Sequence, residues 1–186
     1  MASALTGKKI LILVGNGVDE GVMSVVQREL VKTGATVKTV GIEPGLVNSW
    51  NNNAWGLYFP VDQQMNTTLG SDFDCLIVPS GSRSIAKLGA NAHSERIIAS
   101  FIQSAKPMAF IGDAVELLAK VALATGWNVA GPARVQQAMV AAGANWAGSE
   151  NCIHNILMTG EAVDIGAYVA SMIEFFSAAK EIKAAA

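Results

Sequence analysis

Cysteine and histidine are scarce in this chain, two of each among 186 residues. Cys75 and Cys152 lie far apart, and with His93 and His154 they show no metal-ligand spacing. Structural zinc takes four Cys or His ligands, so no metal site is expected. Two unclustered thiols suit a reducing compartment, and a cytoplasmic location is expected. No apolar stretch reaches the ~20 residues of a membrane span, and the segment MASALTGKK has no apolar run before its basic pair. Neither a transmembrane helix nor a secretory signal is therefore read. A formal net charge of −2 without a basic stripe argues against a general nucleic-acid partner.

Apolar residues, by contrast, are abundant. They make up 51% of the chain, and the mean hydropathy is +0.36. Such a balance suggests strands buried on both faces, as in a parallel sheet, or a large subunit interface. The length suits one domain, residues 1–186, with a sizeable core.

Strand and helix patterns alternate along the chain. The run KKILILVG (8–15) reads as a first buried strand, and residues 22–32 as an amphipathic helix stopped by Gly34. TVKTVGI reads as a second strand. The Asn-rich, aromatic segment GLVNSWNNNAWGLYFPVDQ reads as a loop or hairpin excursion, because its Trp and Tyr side chains need packing partners. FDCLIVPSG (73–81) is a third buried strand, followed by mostly helical residues 82–104 with a break near GANAH. Met108–Ile111 is a strand, residues 113–123 a helix, WNVAGP a short strand and turn, and ARVQQAMVAAG a short helix. NILMTG and an amphipathic helix over 164–183 close the chain. This order predicts an α/β, flavodoxin-like, doubly wound and mostly parallel sheet with helices on both faces.

In such a sheet the site lies outside the carboxyl ends of the strands. Four turns fall there: 16–20, 79–83, 112–113 and 130–132. The turn at Gly112–Asp113 has the strand–turn–helix order that mounts a nucleophile in many α/β enzymes, yet carries no Ser, Cys or Thr. Asp113 has two readings. It is an acid in the first turn of a helix, satisfying free N–H groups, or it is a nucleophile or general base. Glu116, one turn on, could form a carboxylate pair with it. Glu20 and Asp19 stand in the first turn as solvated acids or as replacements for a lost catalytic group. The backbone around Ser80, Gly81, Ser82 and Gly112 offers N–H groups to an anion, with Arg83 as a clamp or as a plain surface arginine. Cys75 reads as a buried inert thiol. Cys152 and His154, two apart, point the same way on a strand-like stretch, but no third group orients them as a catalytic pair would need.

The four turns, in this order and over nearly the whole chain, resemble the ThiJ/PfpI superfamily of deglycases, PfpI-type proteases and glutamine-amidotransferase-like domains. FDCLIVPSG, KPMAFIGDAVELL, GPARVQQAMVAAGANW and NILMTG carry the likeness. The resemblance implies an elbow cysteine, a first-turn glutamate and an assisting histidine, and at those positions this sequence has Gly112, Val22 and Gly131. KPMAFIGDA and IVPSG are also similar to the C-terminal domain of large-subunit haem catalases, which lacks the cysteine too. That likeness implies a catalytically silent domain with a structural, oligomerising or chaperone-like role, and no cofactor or catalase activity in this chain. The implied partners are further copies in a homodimer or higher oligomer, client proteins, or a catalase core where the domain belongs to a longer chain. The alternative is a hydrolase or lyase rebuilt around Asp113 with Glu20 or Arg83.

Overall fold

The computed structural model describes residues 4–148 and 150–185, with side chains through residue 179. It contains β1 (Lys9–Val14), β2 (Val18–Asp19), α1 (Glu20–Val31), β3 (Thr36–Gly41), β4 (Gly45–Asn51), β5 (Ala54–Val61) and β6 (Gln63–Gln64). After these come β7 (Cys75–Val78), α2 (Ser82–Gly89), α3 (Ala92–Gln103), β8 (Met108–Ile111), α4 (Glu116–Lys120), β9 (Asn128–Val129) and α5 (Gln136–Ala141). The remaining elements are β10 (Asn145–Trp146), β11 (Cys152–His154), β12 (Leu157–Gly160) and α6 (Ile165–Ala185).

The main sheet runs β11-β12-β8-β7-β1-β3-β6. Its pairs are parallel except β11 with β12, which is antiparallel at the edge. The expected doubly wound, mostly parallel sheet with helices on both faces is therefore the observed one. Side chains of β1 alternate between two cores, as the period of a strand requires. Leu11 and Leu13 join Ile97, Phe101 and Leu118 on one face. Ile10, Ile12 and Val14 join Met23, Leu30, Tyr168 and Phe176 on the other. Both faces are thus dry, which explains the continuous apolar run of β1. Each such fully buried Leu or Ile contributes roughly 1.5–3 kcal/mol. On α6 the buried residues Tyr168, Val169, Met172 and Phe176 share one stripe at helical spacing. The amphipathic pattern expected beyond residue 179 lies outside the described side chains.

Several boundaries differ from the sequence expectation, each for a local reason. α1 begins at Glu20, two residues early, because Asp19 caps it: Asp19 Oδ1 accepts from the Val22 N–H at 2.9 Å. The aromatic excursion is the hairpin β4–β5, which also pairs with β2. Its two-residue turn, Asn52–Asn53, has both φ angles positive, +47° and +62°. Asparagine tolerates that region, and such turns match the twist of the strands. The helix expected over 113–123 is shorter. It opens as a 3-10 turn over Gly112–Val115 and ends as α4 at Lys120, with Ala122 reversing the chain at φ +58°. No helix among the described residues is long and apolar enough to cross a membrane.

Candidate functional site

The carboxyl ends of β1, β7 and β8 bring the first three turns together. The Asp19 N–H donates to the Ser80 carbonyl at 2.9 Å. The Gly81 N–H donates to Asp113 Oδ1 at 2.9 Å. A Cβ on Gly112 would lie 3.2 Å from the Ser80 Cβ and 3.5 Å from the Glu161 carbonyl. The fourth turn arrives beside them, where a Cβ on Gly131 would lie 3.4 Å from the Gly112 carbonyl and 3.1 Å from Val115. A side chain at 131 would thus stand next to the elbow, which is where the family resemblance puts its histidine.

Gly112 sits at φ +60° between the last residue of β8 and a 3-10 turn. A left-handed residue there costs a side-chain-bearing amino acid about 1–2 kcal/mol, and nucleophile elbows tolerate such strain to expose the reactive atom. The backbone here has the geometry of such an elbow, and its residue carries no side chain. Gly112, Asp113, Ala114, Gly131 and Pro132 are all buried.

Asp113 is 4% exposed, yet both of its oxygens are engaged. Oδ1 takes the Gly81 amide and Oδ2 the Arg134 guanidinium at 2.8 Å. It makes no capping bond to its own helix. Instead it faces Gly81, the residue before α2, where the N-terminal dipole of that helix favours a negative charge. The amide that an external anion would use is therefore occupied by the chain's own carboxylate. Buried acids need such partners, because an unpaired buried charge is costly.

The remaining candidates are placed elsewhere. Glu20 turns to the hairpin: Oε2 accepts from the Leu57 N–H at 2.6 Å and from the Ser49 hydroxyl at 2.8 Å, and Oε1 from Asn51 Nδ2 at 3.0 Å. These bonds, with the Leu57 amide foremost, hold its carboxyl below the usual range. Glu20 is thus a solvent-accessible acid that anchors the hairpin, and it is not joined to Asp113. Val22 is partly buried against the α1–α6 core. The Arg83 guanidinium lies over the Trp50 ring, 3.9 Å from its centroid, and Trp55 meets Trp50 edge to face at 5.1 Å. Its planar cation is used in stacking. Glu116 pairs with Lys120 at 3.3 Å, so the suggested Asp113–Glu116 pair is replaced by an intrahelical ion pair.

Cys152 and His154 converge on Asn128 rather than on each other. The Cys152 thiol donates to the Asn128 carbonyl at 3.5 Å, and His154 Nδ1 accepts from the Asn128 N–H at 2.9 Å. Burial pushes the Cys152 thiol up, away from the thiolate. Cys75 is buried in β7. No cluster of three or more His, Cys, Asp or Glu suited to a metal occurs among the described residues. Sequence reasoning missed Arg134; its signal was a lone cation in the turn after β9, two residues beyond Pro132.

A flavodoxin-like, mostly parallel α/β sheet flanked by helices defines the class of this protein. The profile of the DJ-1/PfpI family matches residues 8–175, and the chain belongs to that family. Among solved structures it is similar to a ThiJ/PfpI domain protein from Brachyspira murdochii, with TM-score 0.82 and 14% identity over 93% of this chain and 98% of that one. Drosophila melanogaster DJ-1beta superposes with TM-score 0.77 and 18% identity over 91% and 90% of the two chains. A two-domain protein from Anabaena variabilis, with DJ-1/ThiJ/PfpI-like and ferritin-like domains, gives TM-score 0.80 and 19% identity. The match to it takes in 92% of this chain but spans only 49% of that protein. The sequence finds no match among curated proteins.

Proposed function

We propose that this chain is a catalytically silent DJ-1/PfpI domain with a structural, oligomerising or chaperone-like role, of the kind found at the C-terminus of large-subunit haem catalases. One observation carries the reading. At a buried elbow without a nucleophile, the Asp113 carboxylate is held by the Gly81 amide and Arg134. An attacking carboxylate needs an open approach to substrate, and this one is 4% exposed with each oxygen already accepting a hydrogen bond. Glycine at 131 and valine at 22 leave no acid–base partner at the positions the family uses.

Self-association is supported by large apolar side chains left in water. Leu46, Trp55, Leu57 and Tyr58 are all more than half exposed and all lie on the β4–β5 hairpin. A homodimer or higher oligomer would cover part of that surface. That DJ-1-like domains occur joined to a second domain, as in the Anabaena protein, fits a modular role.

Two measurements test the proposal. Steady-state assays on glyoxals, peptides and amides should show no turnover above buffer. Light scattering should give a mass above one chain, and suppression of client aggregation would specify the chaperone-like role. Turnover that disappears in Asp113→Ala would establish instead the hydrolase or lyase built on that carboxylate.

A further inference from the structure

A separate hollow lies away from the elbow, at the carboxyl ends of β1 and β3. It encloses about 310 Å³ and is lined on its apolar side by Ile42, Val47 and Val61. Past Asn16, Leu46 and Lys87 it continues into an adjoining hollow of about 340 Å³ beside Trp55. This is the size of a small-molecule site, and the carboxyl ends of the strands in an open α/β sheet are where such sites form.

Donors outnumber acceptors among its polar side chains. The Asn16 carboxamide oxygen is already taken by the Asn48 N–H at 2.7 Å, which leaves Asn16 Nδ2 to donate. The Asn91 oxygen is taken by the His93 N–H at 2.9 Å, as the cap of α3, which leaves Asn91 Nδ2 to donate. Lys87 makes no ion pair or hydrogen bond among the described residues; its ammonium lies 5.9 Å from the Trp55 ring centroid. Glu43, the acid on the same lining, is exposed and does not pair with it. On the adjoining hollow the Asn48 side-chain oxygen is a buried acceptor with no hydrogen-bond partner, a place for a donor and not for a carboxylate. Three donors, one of them cationic, share the lining with an apolar wall.

We propose that this hollow binds a small carboxylic acid with an aliphatic or aromatic body. The carboxylate is held by Lys87 Nζ and the Asn16 and Asn91 amide groups. The body lies on Ile42, Val47, Val61 and Trp55. The site shares none of these residues with the elbow and stands whether or not the elbow is silent.

The test uses 3-phenylpropanoate and its neutral analogue 3-phenylpropanamide, titrated into the ¹⁵N-labelled chain. The acid should shift the Asn16 and Asn91 side-chain amides and the Trp55 indole and saturate. The amide, which lacks the charge-assisted bond, should bind about tenfold weaker or less tightly still. Lys87→Gln should lower the acid to the level of the amide, and Lys87→Arg should keep most of the preference. Lys87 is exposed on α2, so both variants should melt as the parent does. Equal binding of acid and amide would overturn the proposal, as would a preference that survives Lys87→Gln. Shifts clustered elsewhere, or no saturation at millimolar acid, would overturn it too.

Discussion

Asp113 and Gly81 meet across the carboxyl ends of two neighbouring strands, the carboxylate of one accepting the backbone N–H of the other at 2.9 Å. The bond closes the gap between the turn after β7 and the turn after β8. It also uses the donor nearest the elbow, so the same contact that steadies the turns withdraws them from anion binding.

Asp113→Ala should therefore destabilise the fold by about 1–3 kcal/mol, because it leaves a shielded amide and a guanidinium without their acceptor. Asp113→Asn keeps an acceptor for Gly81 and should lose less. Arg134→Ala should cost less than Asp113→Ala, since the Arg134 side chain is 65% exposed and that of Asp113 only 4%. Urea unfolding midpoints of the three variants would check this order.

Gly112→Cys puts the family's thiol back on a backbone already at φ +60°. The left-handed conformation should cost about 1–2 kcal/mol, with a further tight contact to the Ser80 Cβ. With glycine at 131 and valine at 22, the restored thiol should remain without glyoxal turnover. Activity in Gly112→Cys alone would show that the elbow needs no partner residues.

Glu20 predicts a pH dependence. Its carboxyl is held below the ordinary value of 4.5 by the hairpin. A folded-state pKa below the unfolded one means stability that is fully present above about pH 4.5 and is lost as pH falls through the folded value. Glu20→Gln should be less stable than the parent at pH 7, and the gap should close on acidification. A gap that stays constant from pH 7 to strong acid would contradict the assignment. Gly56→Ala should mimic the loss, because a Cβ there would strike the Glu20 carboxylate.

Tyr168→Phe tests the seam between β8 and β12. The buried hydroxyl donates to the Phe110 carbonyl at 3.1 Å, with the Met158 carbonyl 3.3 Å away. Burial pushes the phenol far above its ordinary range. The variant should lose about 1 kcal/mol, and the parent's Tyr168 should ionise only as the fold opens in alkali, seen by phenolate absorbance.

The long buried strands were legible because each is a continuous apolar run, as in β1 and β8, bounded by glycine or proline. The elbow was legible because only Gly112 and Asp113 separate a strand from a helical pattern. Of the short pieces only β9, inside WNVAGP, was read; β10 and β11 have two or three residues each, too few for a period, and exist through their pairing. The duties of Asp113 and Glu20 were hidden for another reason. Their partners lie 21 to 37 residues away, and only the hairpin register and the convergence of turns bring them into reach. Arg83 looked like an anion clamp because its position after β7 is right; the stack on Trp50 depends on where the hairpin folds back.

The main sheet ends in very short strands, two residues at β6 and three at β11. Such borders give an incoming strand almost nothing to pair with. Strand addition has more to pair with at β5, the eight-residue outer strand of the hairpin sheet.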